Sequence, residues 1–334
     1  MSKELLLNSS DHLSAVGILR EALQILRRNG KLVVSIALFS LLSNCLLFLG
    51  NHFSIEPFLF DLVMNIFQLR THQPDTPEYH TLVIAIKKDV GVLLGNELII
   101  AVAMWVVFLF SMIATVYASA VTYSGKKATP KEVLTQTGRS WHGPAITWFY
   151  ISLMSVGCSV LILIMFGVLT MIANGSIPLY SVMHYFPLVT LALFMVLLVL
   201  SVNLYLGMVW MVGVVVSVLE DGCYGMEALG KAEELMVGRK LQGYVVTLVL
   251  GLVLVLVSGF VGYEAGDVKI SAKFGAGLHF MLTNIICLWK MYGAMVYTLL
   301  YFECKKIHGE EVKVQLGSGQ RMFPTVPRFT ATLA

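Results

Sequence analysis

The residue types that carry most catalytic and metal-binding chemistry are present in this chain, but they are scattered. The eight histidines and five cysteines show no paired metal-ligand spacing, and the cysteines form no disulfide framework. The sequence also lacks a phosphate-binding glycine loop, a Gly-x-Ser-x-Gly nucleophile turn and a dinucleotide-binding fingerprint. We therefore expect no cofactor and no metal, and we favour a protein without enzyme activity.

One cluster of charges could still form a site. Glu220 and Asp221 follow a long run without any charged residue, and Arg239 stands just before the next apolar run. Two carboxylates and an arginine at a membrane face could belong to a lipid-handling enzyme. The alternative is a hydrophilic end to an apolar segment, followed by a turn at Gly222. The sequence favours this second interpretation.

Polar residues inside the apolar runs are the other candidate site. Lys290 lies about midway through the last apolar run, where a charged side chain costs roughly 2.5 to 3.5 kcal/mol. A partner or a water-filled cavity is therefore expected. The candidate members of this intramembrane site are Lys290, Asn203, Asn284, Glu97 and Tyr297. They could bind a solute or a proton, or they could satisfy the lysine and serve packing alone, and both interpretations stay open.

The composition indicates the elements that must position these residues. Mean hydropathy is +0.80, and only 13% of residues are charged, against about 25% in a soluble domain. Six apolar runs are long enough to span a bilayer. We therefore predict an all-α polytopic membrane protein with six transmembrane helices. A net charge of +3 does not point to nucleic acid as a partner; the expected partners are membrane lipids and other membrane proteins.

Basic residues predict the orientation. A six-span arrangement places 17 lysines and arginines on the side of the termini and 5 on the opposite side, with Lys290 completing the 23. The positive-inside rule then puts both termini in the cytosol. The predicted domains are a cytosolic segment at 1–30, a membrane domain at 31–302 and a partly disordered cytosolic tail at 303–334. The endoplasmic reticulum or another endomembrane is favoured, and the plasma membrane stays open.

A short pattern occurs three times at the same place relative to an apolar run. Glu21-Ala22-Leu23, Glu132-Val133-Leu134 and Glu227-Ala228-Leu229 each lie in an amphipathic segment that precedes a span. This spacing indicates three repeats of a two-span unit, each opening with an interfacial helix. Thr129 and Glu132 form the capping box of the second such helix. In the third, Glu227 and Lys231 stand one turn apart in the favourable order.

The first of these helices is basic. Its predicted apolar stripe holds Val16, Leu19, Leu23 and Leu26, and its opposite face carries the candidate lipid contacts Arg20, Arg27 and Arg28. The helix could attract anionic lipid, or it could pack beside the first span with its charges in water. Both can hold. Residues 57–69 form a further short apolar segment, for which we expect an interfacial or re-entrant helix rather than a crossing.

The third repeat carries a resemblance to a known module. Its candidate interfacial motif comprises Glu220, Gly225, Ala228, Leu229, Lys231, Gly238 and Arg239. This pattern is similar to the membrane domain attached to some bacterial glycerophosphodiester phosphodiesterases, although Ala232 replaces the usual Ser. The segments GILREALQILRRNGKL and TPKEVLTQTGRSW resemble a plant family of multi-span membrane proteins of uncharacterised function. The resemblance covers most of the chain and implies fold and topology; no catalytic barrel accompanies it.

Three function classes follow from these observations. The favoured one is a non-enzymatic integral endomembrane protein that organises or recruits at the membrane. The alternative is a small-solute or ion transporter that uses the polar residues inside the bundle. The third is a lipid-handling enzyme built on Glu220, Asp221 and Arg239.

Overall fold

The computed structural model describes residues 14–72, 76–125, 128–175, 182–266, 272–309, 312–313 and 322–323. The helices in this part of the chain are α1 (Ala15–Arg28), α2 (Gly30–Leu69), α3 (Pro77–Tyr123), α4 (Pro130–Arg139), α5 (His142–Gly175), α6 (Val182–Leu219), α7 (Met226–Met236), α8 (Lys240–Gly266) and α9 (Ala272–Ile307). A pairing of two short strands, β1 (Val312–Lys313) and β2 (Met322–Phe323), follows them. Six of the helices are long and apolar enough to cross a membrane. The prediction of an all-α protein with six spans is therefore confirmed, and the chain is a multi-pass integral membrane protein.

The helices follow one another as three triplets, each made of a short helix and two long ones. The short members are α1, α4 and α7, and one to three residues separate each from the long helix that follows. This order is the one that the repeated Glu-Ala-Leu pattern predicts. The short helices begin at the positions where the sequence offers a cap or a turn.

Local sequence explains those beginnings. The Ser14 side chain caps α1 by accepting a hydrogen bond from the Gly17 amide at 3.2 Å. At α4 the Thr129 side chain and the Glu132 carboxylate each accept from the other residue's amide, at 3.3 and 3.0 Å, which confirms the predicted capping box. At α7 the capping residue is Gly225, whose φ of +66° is unfavourable for residues with a side chain.

Two predicted boundaries differ from the structure. Residues 57–69 do not form a separate interfacial or re-entrant helix, because α2 continues through Pro57 to Leu69 without a break. At the other end α9 continues to Ile307, past the predicted start of the tail at 303. The remainder of that tail lies almost entirely outside the described residues. Apolar residues on all sides of a helix give no periodic signal for where it ends.

The chain divides into two compact units, whose boundaries fall inside α2, α3, α8 and α9. The first unit comprises residues 1–33, 113–256 and 292–334. Its core is formed by the C-terminal parts of the last helix in each triplet, where nearly every side chain of 113–121, 212–219 and 293–304 is buried. Tyr123 of α3 stacks on Phe302 of α9 there, with ring centroids 4.7 Å apart. The buried hydroxyls of Ser119 and Thr298 bond to carbonyls of their own helices.

All three short helices belong to this first unit, and each buries one face in it. The buried residues are Ile18, Ala22 and Ile25 in α1, Val133 and Thr137 in α4, and Ala228, Leu229, Ala232, Leu235 and Met236 in α7. The residue after each repeated glutamate, Ala22, Val133 or Ala228, is thus buried in all three helices. The repeat has a structural meaning: it marks the contact between a short helix and the core.

The second unit comprises residues 34–112 and 257–291. Polar pairs join α2 to α3 inside it. The Asn51 amide oxygen accepts from Asn96 at 3.0 Å, its amide nitrogen donates to Glu97 at 3.4 Å, and Asn65 donates to Asp89 at 3.0 Å. These contacts join two long helices through polar groups.

Candidate functional site

The Glu220 carboxylate accepts hydrogen bonds from three charged or polar side chains that belong to two helices. Lys231 of α7 reaches one carboxylate oxygen at 2.5 Å, and Lys305 of α9 reaches the other at 2.9 Å. The Tyr301 hydroxyl donates to that second oxygen at 2.6 Å. Only 14% of the Glu220 side chain and 7% of the Lys305 side chain are exposed. We call these four residues the Glu220 cluster; it ties the ends of α6 and α9 to α7.

Electrostatics keep this carboxylate ionised. Burial alone would raise the pKa of Glu220, but the hydrogen bonds from Lys231, Tyr301 and Lys305 outweigh burial, so its pKa lies below the usual value. The nearby Cys223 thiol responds in the opposite direction. Its burial and the charge of Glu220 raise the pKa of Cys223, so the thiol is protonated and a poor nucleophile at neutral pH.

Glycines shape the turn that carries Glu220 to α7. Gly222 and Gly225 have φ values of +78° and +66°, which confirms the glycine turn predicted after the apolar run. The Gly225 amide donates to the Thr147 hydroxyl of α5 at 2.8 Å. A side chain at Gly225 would also press against the Tyr150 ring, 3.3 Å from the position of its first carbon. The turn is therefore built for glycine at this position.

The rest of the interfacial motif serves packing. Ala228 and Leu229 lie against Gly213 of α6, where a methyl group would come within 2.6 Å of the Leu229 side chain. Gly238 turns the chain with a φ of +89°, and the amide of Arg239 closes the turn on the Met236 carbonyl at 3.0 Å. These contacts show that the motif residues hold α6, α7 and α8 together where the three helices meet.

Arg239 is buried rather than placed at a lipid headgroup. Its side chain is 6% exposed and bonds to the Gln242 carboxamide. Its amide closes the turn between α7 and α8, and the burial of its side chain disfavours contact with lipid phosphates. An ionised, triply bonded Glu220 is likewise a weak proton acceptor. The contact between α6, α7 and α8 is thus better suited to holding the helices together than to catalysis.

The sequence did not reveal the three partners of Glu220. Helical spacing places Glu227 one turn before Lys231, whereas the structure shows Lys231 bonded to Glu220. Lys305 and Tyr301 stand more than 80 residues further along the chain, and Lys305 fell within the predicted tail. A basic pair following the last span, Lys305-Lys306, is the single sequence signal that could have suggested a partner.

The polar residues within the spans are divided between the two units. In the second unit, Lys290 is exposed, and its ammonium lies 4.7 Å from the centroid of the Phe108 ring. Glu97 bonds to Asn51 instead, and no carboxylate of the described residues lies within ion-pair distance of Lys290. The Asn284 amide nitrogen donates to the Phe280 carbonyl, and its oxygen is buried without a described partner.

In the first unit, the other two members have partners of their own. The Asn203 amide donates to the Val199 carbonyl of the same helix at 2.8 Å. The buried Tyr297 hydroxyl bonds to the Thr247 hydroxyl at 2.9 Å. Each is satisfied by a contact that an isolated span or a helix pair can supply, so neither needs a ligand.

The three arginines of α1 have different surroundings. Arg28 forms an ion pair with Glu21 at 3.5 Å, on the polar face of the helix. Arg20 and Arg27 are exposed, and no described carboxylate lies within ion-pair distance of either. The structure corrects the predicted stripe: Ile18, Ala22 and Ile25 face the core, while Val16, Leu23 and Leu26 are exposed.

The exposed apolar residues of α1 are continuous with its buried face. With about 100° between successive residues, Leu26 and Leu23 follow the buried face around the helix, and Arg27 and Arg20 come next. An apolar arc bordered by arginines is the arrangement of a helix that lies in a membrane interface. Of the three predicted lipid contacts, Arg20 and Arg27 have this placement, and Arg28 does not.

Metal binding finds no support in the described part of the chain. Within those residues, no group of three or more histidine, cysteine, aspartate or glutamate side chains could hold a metal ion. The buried Cys304 thiol lies 3.7 Å from the Met236 sulfur, a packing contact between α9 and α7.

Comparison with known proteins places the chain in a family. A protein-family model described as "Domain of unknown function (DUF8558)" matches residues 7–318. No curated protein and no solved structure matches the chain. The resemblance to the plant family and to the bacterial phosphodiesterase membrane domain stays a prediction. Because the match extends from before α1 to beyond α9, the chain belongs to the family described as Domain of unknown function (DUF8558).

Proposed function

We propose that this protein is a non-enzymatic organiser of the membrane in which it is embedded, and that α1 gathers anionic lipid at its cytosolic face. The observation that carries the proposal is the exposed arc of α1, formed by Val16, Leu23 and Leu26 and bordered by Arg20 and Arg27. The favoured orientation places both termini in the cytosol, where anionic lipid is concentrated. An endomembrane such as the endoplasmic reticulum is the favoured location.

The attachment of α1 to the core supports this role. The Tyr292 hydroxyl of α9 donates to the Leu19 carbonyl at 3.0 Å, and Asn29 at the end of α1 donates to Thr122 of α3 at 3.3 Å. Both bonds fix a short helix that is too short to be stable alone in water. A helix held this way presents Arg20 and Arg27 at a constant depth.

Lipid-dependent thermal stability tests the proposal. Phosphatidylserine that binds the folded protein raises its melting temperature, whereas phosphatidylcholine serves as the neutral reference. Each arginine near an anionic surface contributes about 1 kcal/mol, so Arg20→Gln with Arg27→Gln should weaken phosphatidylserine binding roughly 30-fold. The measurement is the phosphatidylserine-dependent shift in melting temperature of the full-length protein in detergent.

Arg28→Gln is the matched control, because Arg28 belongs to the same helix but pairs with Glu21. It should lower the melting temperature slightly in all lipids and leave the phosphatidylserine-dependent shift unchanged. If all three arginines contributed equally, or if phosphatidylserine gave no shift with the unaltered protein, lipid gathering by α1 would be rejected.

A second candidate function, transport of a small solute or ion, has its own observation. Asn284, Cys287 and Lys290 stand at three-residue spacing on α9, and the Asn284 oxygen is buried without a described partner. Cys287 contacts the Ser40 hydroxyl of α2 at 3.0 Å. A polar strip within a span is a usual feature of a solute pathway.

Flux into proteoliposomes separates this candidate from the first. Lys290→Met keeps the side-chain length and removes the charge, so it should abolish flux if the strip is a pathway. Lys306→Met, near the end of the same helix, should not. Absence of flux for the unaltered protein with a panel of ions, amino acids and sugars would remove the transport candidate.

A further inference from the structure

The exposed apolar side chains of α2 follow a seven-residue repeat. The four most exposed large apolar residues of this helix are Leu46 at 63%, Phe53 at 69%, Phe60 at 66% and Phe67 at 67%. Each stands seven residues after the one before it. Residues at this spacing form one stripe along a slightly supercoiled helix.

A second set of positions completes the pattern of a coiled-coil seam. Leu49 and Val63, three residues after Leu46 and Phe60, are also exposed. Together these residues occupy the a and d positions of a heptad repeat over residues 46–67. Glu56 fills the remaining d position, and its carboxylate lies 3.9 Å from His52. We call this stripe the α2 seam.

The opposite face of α2 is already occupied within its own unit. Asn51 bonds to Asn96 and Glu97 of α3, and Asn65 bonds to Asp89. Asn51 and Asn65 stand five residues after Leu46 and Phe60, which is the position that points away from the seam. The seam therefore faces outward from the α2–α3 pair.

Lipid does not account for the whole seam. α2 has 40 residues and is roughly 60 Å long, whereas the hydrocarbon core is about 30 Å thick. Even with a tilt of about 40°, the outer end of such a helix extends beyond the hydrocarbon. Phe60 and Phe67 lie in that outer part, where exposed aromatic rings would otherwise contact water.

We propose that the α2 seam is a homodimer interface, occupied by the α2 seam of a second copy of this chain. Two copies inserted in the same membrane have the same orientation, so their seams run parallel and meet in register across a twofold axis. An aromatic side chain covers about 150 to 250 Å² on burial, so the paired seams bury on the order of 1,000 Å², which is about the lower limit for a specific interface. A second copy of the chain has the same heptad spacing and can contact the whole seam, whereas a helix without that spacing would contact only part of it.

Cysteine cross-linking tests the register in the membrane. Cys45, Cys158 and Cys287 are replaced by serine, and the buried Cys223 and Cys304 are retained. Phe53→Cys and Phe60→Cys place a thiol on the seam, whereas Ser54→Cys and Asp61→Cys place one at the next residue. After mild oxidation of membranes, seam thiols should give at least about fivefold more disulfide-linked dimer than their neighbours. Equal yields at neighbouring positions, or no dimer at any of them, would overturn the proposal.

A mass measurement gives a second, independent readout. The full-length protein in detergent should have twice the protein mass of 36.9 kDa per chain by light scattering. Phe60→Ser should weaken the dimer about tenfold, whereas Phe58→Ser, the same change on a face away from the seam, should leave it intact. Far-ultraviolet circular dichroism confirms that both variants fold. If the unaltered protein is monomeric in both detergent and lipid nanodiscs, a second copy is rejected as the occupant of the seam. The same holds if the seam contacts only lipid or a different protein.

Discussion

At the scale of single residues, Glu220 has an unusual electrostatic position. It directly follows the C-terminus of α6, where the unpaired carbonyl groups carry partial negative charge and disfavour an anion. Lys231 and Lys305 offset both this effect and the cost of burial. The carboxylate is therefore stable there only as long as its two lysines are present.

Glu220→Gln tests this dependence. The amide keeps the size of the side chain but removes the carboxylate charge that pairs with the buried Lys305. Breaking a buried ion pair from one side costs about 3 to 5 kcal/mol, and the partial exposure of Glu220 places the expected loss near the lower value. The melting temperature of the purified protein measures it. Replacing Lys305 by methionine in the same variant should restore part of the loss, because the buried charge that had paired with Glu220 is then removed as well.

Asp221→Asn is the control for this change. Asp221 is the next carboxylate along the chain, and it is exposed. Its substitution should alter the melting temperature far less than Glu220→Gln does. Equal losses for the two variants would show that the cluster contributes nothing beyond surface charge.

The lowered pKa of Glu220 predicts how this contribution depends on pH. An acid whose pKa is lowered by folding stabilises the protein above its unfolded pKa, here about 4.5, and loses that contribution as the pH falls through the folded value. The difference in melting temperature between the unaltered protein and Glu220→Gln should thus be constant at neutral and mildly acidic pH. It should shrink in stronger acid. A difference that instead vanished between about pH 7 and 5 would contradict the lowered pKa.

Residue-level sequence rules worked where the partner is nearby. Thr129 and Glu132 are three residues apart, so the capping box could be predicted from the sequence. Helical spacing favours Glu227 as a partner of Lys231, but Lys231 bonds to Glu220, a more buried carboxylate that Lys305 of a distant helix also contacts. Spacing within one helix carries no information about such a competitor.

At the scale of elements, the interfacial motif fixes the short helix α7 against its neighbouring helices. Gly225 begins α7 with a conformation suited to glycine, while Gly230 lies in the middle of the same helix with open space around it. These two glycines give a matched pair for testing whether the motif is structural.

Gly225→Ala and Gly230→Ala should have opposite effects on stability. At Gly225 a side chain meets both the positive φ, which costs about 1 to 2 kcal/mol, and the Tyr150 ring. At Gly230 alanine should stabilise the helix by up to about 1 kcal/mol. Melting temperatures of the two variants measure the difference, and a loss at Gly230 as large as that at Gly225 would contradict the assigned geometry.

The amphipathic face of α1 was only partly predictable. An apolar arc in this helix extends over Ile25, Leu26 and Leu23, and the sequence alone does not show which part of the arc faces protein. In the structure, Ile18, Ala22 and Ile25 pack into the core of the first unit. Val16, Leu23 and Leu26 of the predicted stripe are exposed. The exposed part of this arc is the part that we propose to contact lipid.

At the scale of the whole molecule, six spans predict which segments share a side of the membrane. An epitope inserted at residues 73–75, between α2 and α3, should be protected from protease in sealed vesicles. An epitope after Ala334 should be digested, as should one at residues 126–127. Immunoblots of protease-treated vesicles check this, with detergent-opened vesicles as the control. The six-span arrangement requires an odd number of crossings between residues 73–75 and 126–127. Protection of both epitopes would therefore contradict it.

Span number followed from hydropathy alone, because a bilayer demands long apolar helices whatever their partners are. The division into two units and the outward direction of the α2 seam could not be predicted from hydropathy. Packing between apolar helices depends on shape rather than on apolar contrast, so the residues that face lipid and those that face protein look alike in the sequence. Polar pairs such as Asn65 with Asp89 become informative only once the two helices are known to be neighbours.

The position of Lys305 and Tyr301 in the chain bears on how the protein is made. Glu220 and Lys231 leave the ribosome well before the last helix, so an unfinished chain holds a carboxylate with one of its two lysines. The contacts of α9 with Glu220 and with Tyr123 of α3 can form only after translation has reached Tyr301, Phe302 and Lys305. A chain that stops short of this point lacks Lys305, and its Glu220 has Lys231 as the remaining lysine of the cluster. The Glu220 cluster is therefore completed only when the last helix is almost finished.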